Sequence, residues 1–216
     1  MILLKPVVQV ALDFVDLETA LKTGRKSVQG NVDWVEAGTP LIKSEGLSSV
    51  KKLSQEFPEK KIIADMKTMD TGELETKIAG EAGADVVSVL GASADETVKG
   101  AVKAGQEYDL DILADLIAVQ DPSTRAQELE DLGVDYIGIH AGIDQQEAGK
   151  NPLKQLDSVI NSTNIPIAIA GGLNAETAPK AVKAGASIIV VGSAITKSND
   201  PTKATQEIVE SVRGLK

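Results

Sequence analysis

The chain contains no cysteine, which excludes disulfides, thiolate metal centres and a cysteine nucleophile and leaves Asp, Glu, Lys and a single His for chemistry. Aromatic residues make up only 2% of it, too few for a platform on which nucleic-acid bases could stack. Positive charge is also scarce. The 22 Lys and Arg face 32 Asp and Glu, a formal net charge of −10, which argues against a nucleic-acid groove and against attachment to anionic membranes. No apolar run approaches the roughly 20 residues that cross a bilayer. The opening residues Met1-Ile2-Leu3-Leu4-Lys5-Pro6 carry neither a basic leader nor a small-residue cleavage site. These absences predict a cytoplasmic protein that binds neither nucleic acid nor membrane. No low-complexity or Gly/Ser-rich stretch divides the 216 residues, of which 42% are hydrophobic, so one domain spanning residues 1–216 is expected.

What the chain does have is repetition. Ala82-Gly83-Ala84-Asp85-Val86-Val87-Ser88-Val89, Leu132-Gly133-Val134-Asp135-Tyr136-Ile137-Gly138-Ile139 and Ala184-Gly185-Ala186-Ser187-Ile188-Ile189-Val190-Val191 share one pattern, and Val32-Asp33-Trp34-Val35-Glu36 is a weaker copy. The steps from Asp33 to Asp85, Asp135 and Ser187 are 52, 50 and 52 residues. Between them lie further β-rich runs at Val7–Leu12, Lys61–Ala64, Asp111–Ala114 and Ile165–Ala170, making eight strands. Segments such as Ser49–Leu53, Ala126–Leu132 and Ile208–Val212 space their apolar residues at three and four, as helices do. Asp121-Pro122, Asn151-Pro152 and Asp200-Pro201 each set a capping side chain before a proline suited to the first helical position. Eight alternations of short aliphatic strand and helix predict an α/β fold, a single (β/α)8 TIM barrel with parallel strands. The alternative, an open doubly wound sheet, usually carries a Gly-rich fingerprint after its first strand, and Ala11-Leu12-Asp13-Phe14-Val15 has none.

In such a barrel the active site gathers where strands end at their carboxyl side. Those ends read Asp13, Glu36, Asp65 with Lys67, Gly91, Asp115, His140, Gly171-Gly172 and Gly192-Ser193. Polar strand starts such as Asp33, Asp85 and Asp135 belong to the opposite rim, where a stabilising role is the default. The segment Asp65-Met66-Lys67-Thr68-Met69-Asp70 follows the apolar run Lys61–Ala64, so charges crowd where a strand meets its loop. Charges packed this way hold each other, a metal or a substrate. Glu36 and Asp65 end adjacent strands and could share a hard cation such as Mg²⁺, or Asp65 could form a structural ion pair with Lys67. The glycine loops at Gly171-Gly172 and Gly192-Ser193 bring backbone N–H groups close enough to cradle a phosphate, where each alone could be no more than a tight turn. His140, followed by Ala141-Gly142, is placed for general acid/base work rather than as a satisfied core histidine.

These residues carry a family likeness. Val10-Ala11-Leu12-Asp13, Glu36-Ala37-Gly38-Thr39-Pro40, Asp65-Met66-Lys67-Thr68-Met69-Asp70, Val89-Leu90-Gly91-Ala92, Ile139-His140-Ala141-Gly142-Ile143-Asp144 and Ala170-Gly171-Gly172 together resemble the orotidine-monophosphate decarboxylase superfamily nearly end to end. The third-strand Asp-x-Lys-x-x-Asp element and the lone His after the sixth strand point to a metal-using aldol branch. That resemblance implies reversible condensation of formaldehyde with D-ribulose 5-phosphate to D-arabino-hex-3-ulose 6-phosphate, with Mg²⁺ as cofactor. It further implies that Glu36 and Asp65 bind the metal, that Lys67 stabilises the enediolate oxygen and that His140 exchanges the proton at carbon 1. Asp13 and Asp115 would orient substrate hydroxyls, Gly171, Gly172, Gly192 and Ser193 would hold the phosphate, and Asp70 would reach the partner's site across a homodimer.

Rival relatives fit the residues less well. A 3-keto-L-gulonate-6-phosphate decarboxylase typically carries arginines just after the histidine and after the last strand's glycine, where this chain has Ala141-Gly142-Ile143 and Gly192-Ser193. Orotidine-monophosphate decarboxylase itself works without a metal. Ribulose-phosphate 3-epimerase generally needs several metal-binding histidines, and a silent phosphate-binding barrel would not keep the charged cluster.

Overall fold

The structure, a computed structural model, describes residues 5–214; the leader expectation for Met1–Leu4 lies outside these residues. The chain runs β1 (Val7–Leu12), α1 (Leu17–Gln29), β2 (Trp34–Ala37), α2 (Thr39–Glu45), α3 (Ser48–Glu56), β3 (Lys61–Thr68), α4 (Gly72–Glu81), β4 (Val86–Leu90), α5 (Asp95–Tyr108), β5 (Asp111–Asp115) and α6 (Pro122–Asp131). It continues through β6 (Tyr136–His140), α7 (Ile143–Glu147), α8 (Pro152–Val159), β7 (Ile167–Ala170), α9 (Ala178–Lys183), β8 (Ile188–Val191), α10 (Ser193–Thr196) and α11 (Pro201–Arg213). The strands close into a parallel barrel in chain order, with β8 pairing β1, as the alternation predicts. Among the described residues no helix is long and apolar enough to cross a membrane.

Strand alternation sorts side chains into two cores. One parity, including Val8, Val10, Leu12, Val35, Ile62, Val87, Ile137 and Ile189, packs outward beneath the helices. The other, including Val7, Ala11, Trp34, Ile63, Val86, Leu113, Tyr136 and Ile188, fills the barrel, where Trp34 and Tyr136 meet edge-on with ring centroids 5.6 Å apart. Helix starts follow the capping signals: the side chains of Asp121, Asn151 and Asp200 accept from Thr124 N, Leu153 N and Lys203 N at 3.2, 2.9 and 3.1 Å. Three short helices, α2, α7 and α10, sit directly after β2, β6 and β8 and break the simple alternation expected from periodicity; at four to seven residues they are too short to show a helical period.

The repeat also has a structural meaning at the N-terminal rim. Asp33, Asp85 and Asp135 accept from the backbone N–H of Val8, Ile62 and Ile112 at 2.9, 2.7 and 2.8 Å. Their own N–H groups donate back to the carbonyls of the same residues at 2.9, 2.8 and 2.9 Å. Each aspartate thus starts an even strand by locking it to the odd strand before it. Replacing Asp85 by alanine is expected to cost about 1 kcal/mol, the net worth of one such bond, or about 2–4 °C in Tm for a chain of this size. Thermal unfolding measures the loss, and activity per folded molecule stays unchanged.

Candidate active site

Inward parity carries Glu36, Asp65, Asp115 and His140 to the carboxyl end of the barrel, the first three only 7%, 9% and 4% exposed. Asp13 follows β1 directly. An added Cβ on Gly38 would lie 2.2 Å from Asp13 Oδ1, and one on Gly192 would lie 3.5 Å from Oδ2. The Asp13 carboxyl is therefore seated between the loops that follow β2 and β8, and Gly38 is small because Asp13 presses on it.

The Asp65–Asp70 segment departs from expectation. β3 does not stop at Ala64 but continues to Thr68, with an irregular register against β4 between Ala64 and Thr68. Lys67 sits there at φ 48°, a left-handed conformation that is costly for a side chain of this size and that surrounding contacts must enforce. One such contact is the 3.0 Å bond from Lys67 N to Ser88 Oγ. The irregularity leaves Asp65 and Lys67 together on the mouth, joined as an ion pair.

From that pair a chain of polar contacts crosses the barrel. Thr39 Oγ1 donates to Asp65 Oδ2 at 2.6 Å and Ser88 Oγ to Oδ1 at 2.8 Å. On the far side Lys67 Nζ approaches Asp115 Oδ2 at 3.6 Å, and the same oxygen meets His140 Nδ1 at 2.9 Å. Ile117 N steadies the other Asp115 oxygen at 2.8 Å. A carboxylate only accepts, so this contact places a proton on Nδ1 and leaves Nε2 as the basic nitrogen. Beside His140 a cavity of about 540 Å³ opens between the β5 and β6 loops, walled by Leu116, Val119, Ala141, Lys150 and Lys154.

Four acids share this rim with one lysine. Burial, then the charge of Asp65, pushes the Asp13 carboxyl up; burial, then Asp65 and Asp13, pushes Glu36 well above the ordinary carboxylate range. Burial also works to raise Asp65, yet the Lys67 ammonium and the Thr39 and Ser88 hydroxyls outweigh it and hold that carboxyl below its usual value. For Lys67 burial acts against the charge, while Asp65 and Asp115 overcome it and hold the ammonium well above an ordinary lysine. That direction favours the charged ammonium, which can donate hydrogen bonds but not accept a proton.

The sequence-derived site divides in two. Asp13, Glu36, Asp65, Lys67, Asp115 and His140 are brought together. The glycine loops join them: Gly171, at φ 114°, would put a Cβ 2.5 Å from Ala141 O, so the β7 loop lies against the β6 loop that carries His140. Gly172 follows at φ 68°, and Gly192-Ser193 leads into α10 beside Asp13. Asp70 stands apart from its own mouth, exposed beyond β3, where its carboxylate accepts from Thr71 N at 2.7 Å. Three contributors escaped the reading of strand ends: Thr39, Ser88 and Gln9, whose Nε2 donates to Glu36 Oε2. Gln9 and Ser88 are the only polar residues within β1 and β4, a signal visible in the sequence once inward parity is assigned.

The donors suit a hard divalent cation. The Glu36 side chain accepts a hydrogen bond only from Gln9 among the described residues, and the acids outnumber the cations facing them. No set of three His, Cys, Asp or Glu among the described residues forms a cage. Glu36 and Asp65 alone could hold such an ion only with water and substrate oxygens completing its shell, and Asp65 already contacts Thr39, Ser88 and Lys67.

The profile of the Orotidine 5'-phosphate decarboxylase / HUMPS family matches residues 6–208. The chain belongs to this family. Within it, the chain is 44% identical over 200 residues to a 3-hexulose-6-phosphate synthase of Mycobacterium gastri, covering 93% of this chain and 96% of that one. The crystal structure of a 3-hexulose-6-phosphate synthase from Salmonella typhimurium superposes with a TM-score of 0.93 at 34% identity, over 96% of this chain and 99% of that chain. A 3-keto-L-gulonate-6-phosphate decarboxylase from Vibrio cholerae shares the family fold at a TM-score of 0.86 but only 25% identity, over 98% of this chain and 99% of that chain.

Proposed function

We propose that this protein is an aldehyde-lyase that reversibly condenses formaldehyde with D-ribulose 5-phosphate to give D-arabino-hex-3-ulose 6-phosphate. The observation that carries the reading is the Lys67–Asp115–His140 chain, which sets a cation and an oriented base on one rim. His140 Nε2 takes the proton from carbon 1 of the pentulose phosphate, and Lys67 donates to the oxygen that becomes negative as the enediolate forms. Carbon 1 then attacks formaldehyde, a carbon–carbon bond replaces the aldehyde π bond, and the new alkoxide takes the proton back from the imidazolium. Formaldehyde offers few contacts, so holding the enediolate rigidly contributes more than binding the aldehyde. Asp115 and Asp13 orient hydroxyls, while the backbone of Gly171, Gly172, Gly192 and Ser193 holds the phosphate. Mg²⁺, held by Glu36 and Asp65, would add positive charge beside the developing oxyanion.

The placement of the arginines favours this reading over decarboxylation of 3-keto-L-gulonate 6-phosphate. The chain has three: Arg25 pairs with Glu56, Arg125 binds Gly91 O and Asp95, and Arg213 pairs with Asp33 at the N-terminal rim. None stands beside His140 or Gly192. The test is to incubate pure protein with ribulose 5-phosphate, formaldehyde and Mg²⁺ and to follow the aldehyde. Loss that falls at least tenfold with chelator is expected; no loss, together with carbon dioxide release from 3-keto-L-gulonate 6-phosphate, overturns the reading.

A homodimer completes the proposal. Next to Asp70, Met69 and Leu74 are 56% and 57% exposed, and Ile78 lies one turn beyond Leu74 on α4, an apolar stripe suited to a second copy. Pairing there would carry Asp70 to the partner's site. A monomer in sedimentation at assay concentration would remove Asp70 from the mechanism.

A further inference from the structure

Gln9 interrupts β1, whose sequence is otherwise aliphatic; it lies opposite Trp34 in the register, and its side chain reaches inside the barrel to Glu36 on β2. It is 2% exposed. Comparable inward positions elsewhere carry Ile63, Val86 and Leu113, so packing alone does not call for an amide. The amide is also only half satisfied: Nε2 donates to Glu36 Oε2, while Oε1 is buried without a partner among the described residues. An unmatched buried acceptor costs stability. A residue kept at that cost is doing something other than packing.

Glu36 needs such a donor. It is buried, its neighbours Asp65 and Asp13 repel it, and Gln9 is the only group among the described residues that hydrogen-bonds to its side chain. We propose that Gln9 is a positioning residue for the cation site: its Nε2 pins one Glu36 oxygen, holding the carboxylate against the repulsion of its acidic neighbours and leaving the other oxygen to the metal. Partners of this kind, which hold a ligand without touching the ion, tune affinity and not ligand identity. The inference rests on the cation reading given under the proposed function.

The test is Gln9→Met, close in length and without donor or acceptor, read by calorimetric titration of the whole protein with MgCl2 and by thermal unfolding without Mg²⁺. Mg²⁺ affinity is expected to fall about tenfold, within the range for loss of such a partner, and the rate lost at limiting Mg²⁺ to be partly recovered by excess. Tm without Mg²⁺ should change little, because the unmatched Gln9 acceptor is removed while Glu36 loses its donor. Gln9→Leu repeats the measurement with a second apolar shape. Unchanged Mg²⁺ affinity overturns the proposal, as does a fall in Tm in both variants that accounts for the lost binding. A parent protein that binds no Mg²⁺ overturns the cation reading itself, a result distinct from a parent that binds and a variant that binds equally well.

Discussion

His140→Asn is expected to abolish exchange of the carbon 1 proton of ribulose 5-phosphate with solvent, with the condensation rate falling about 10²–10⁴-fold, the usual contribution of a positioned general base. Asparagine is the informative replacement because its side-chain amide can still donate toward Asp115 Oδ2, which His140 Nδ1 contacts at 2.9 Å. The variant has nothing to stand in for Nε2, so base function is lost while the support beneath it is kept. Phosphate affinity should change little, since the loops at Gly171-Gly172 and Gly192-Ser193 belong to β7 and β8. Proton exchange followed by NMR in D2O, with ribulose 5-phosphate binding measured separately, checks both halves. Exchange within tenfold of the parent rate would take His140 out of its role.

Lys67→Met should lower kcat by about 10²–10³-fold or more, the loss seen when a preorganised donor to a developing oxyanion is removed. The side chain faces Asp65 and Asp115 together, so its loss leaves two largely buried carboxylates without their cation, and stability should fall as well. Lys67→Arg separates the effects. The guanidinium keeps the charge and should restore most of the lost Tm, but its planar fork cannot reproduce an ammonium donor at one point, so activity should stay below about a tenth of the parent. Single-turnover rates, normalised to folded protein, decide the matter. Arginine activity matching the parent would show that charge alone suffices.

Both variants lie at positions readable from the chain, and the reason is geometric. A strand has a period of two, so once the eight aliphatic runs are placed, the last inward residue of each is known without coordinates. Asp13, Glu36, Asp65, Asp115 and His140 follow from that counting; Asp33, Asp85 and Asp135 were placed on the opposite rim as strand starts, but their paired backbone bonds came only with the structure. Lys67 was legible as chemistry but not as geometry. The irregular stretch of β3 and the positive φ at Lys67 go with a contact to Ser88 on the next strand, 21 residues away, and local spacing carries no trace of that contact.

Periodicity and the order of residue types were thus enough to set the barrel, its inward and outward faces and the rim where acids, lysine and histidine collect, because strand parity and helix caps are local properties of the chain. Which oxygen each donor takes depended on closure of the barrel. Thr39 on Asp65, Gln9 on Glu36 and Asp115 between Lys67 and His140 are contacts between strands or loops 25 or more residues apart, apart from the short Asp65–Lys67 link. Their partners are chosen by the side-chain distances that remain once eight twisted strands have packed into a ring, and no local pattern encodes those distances.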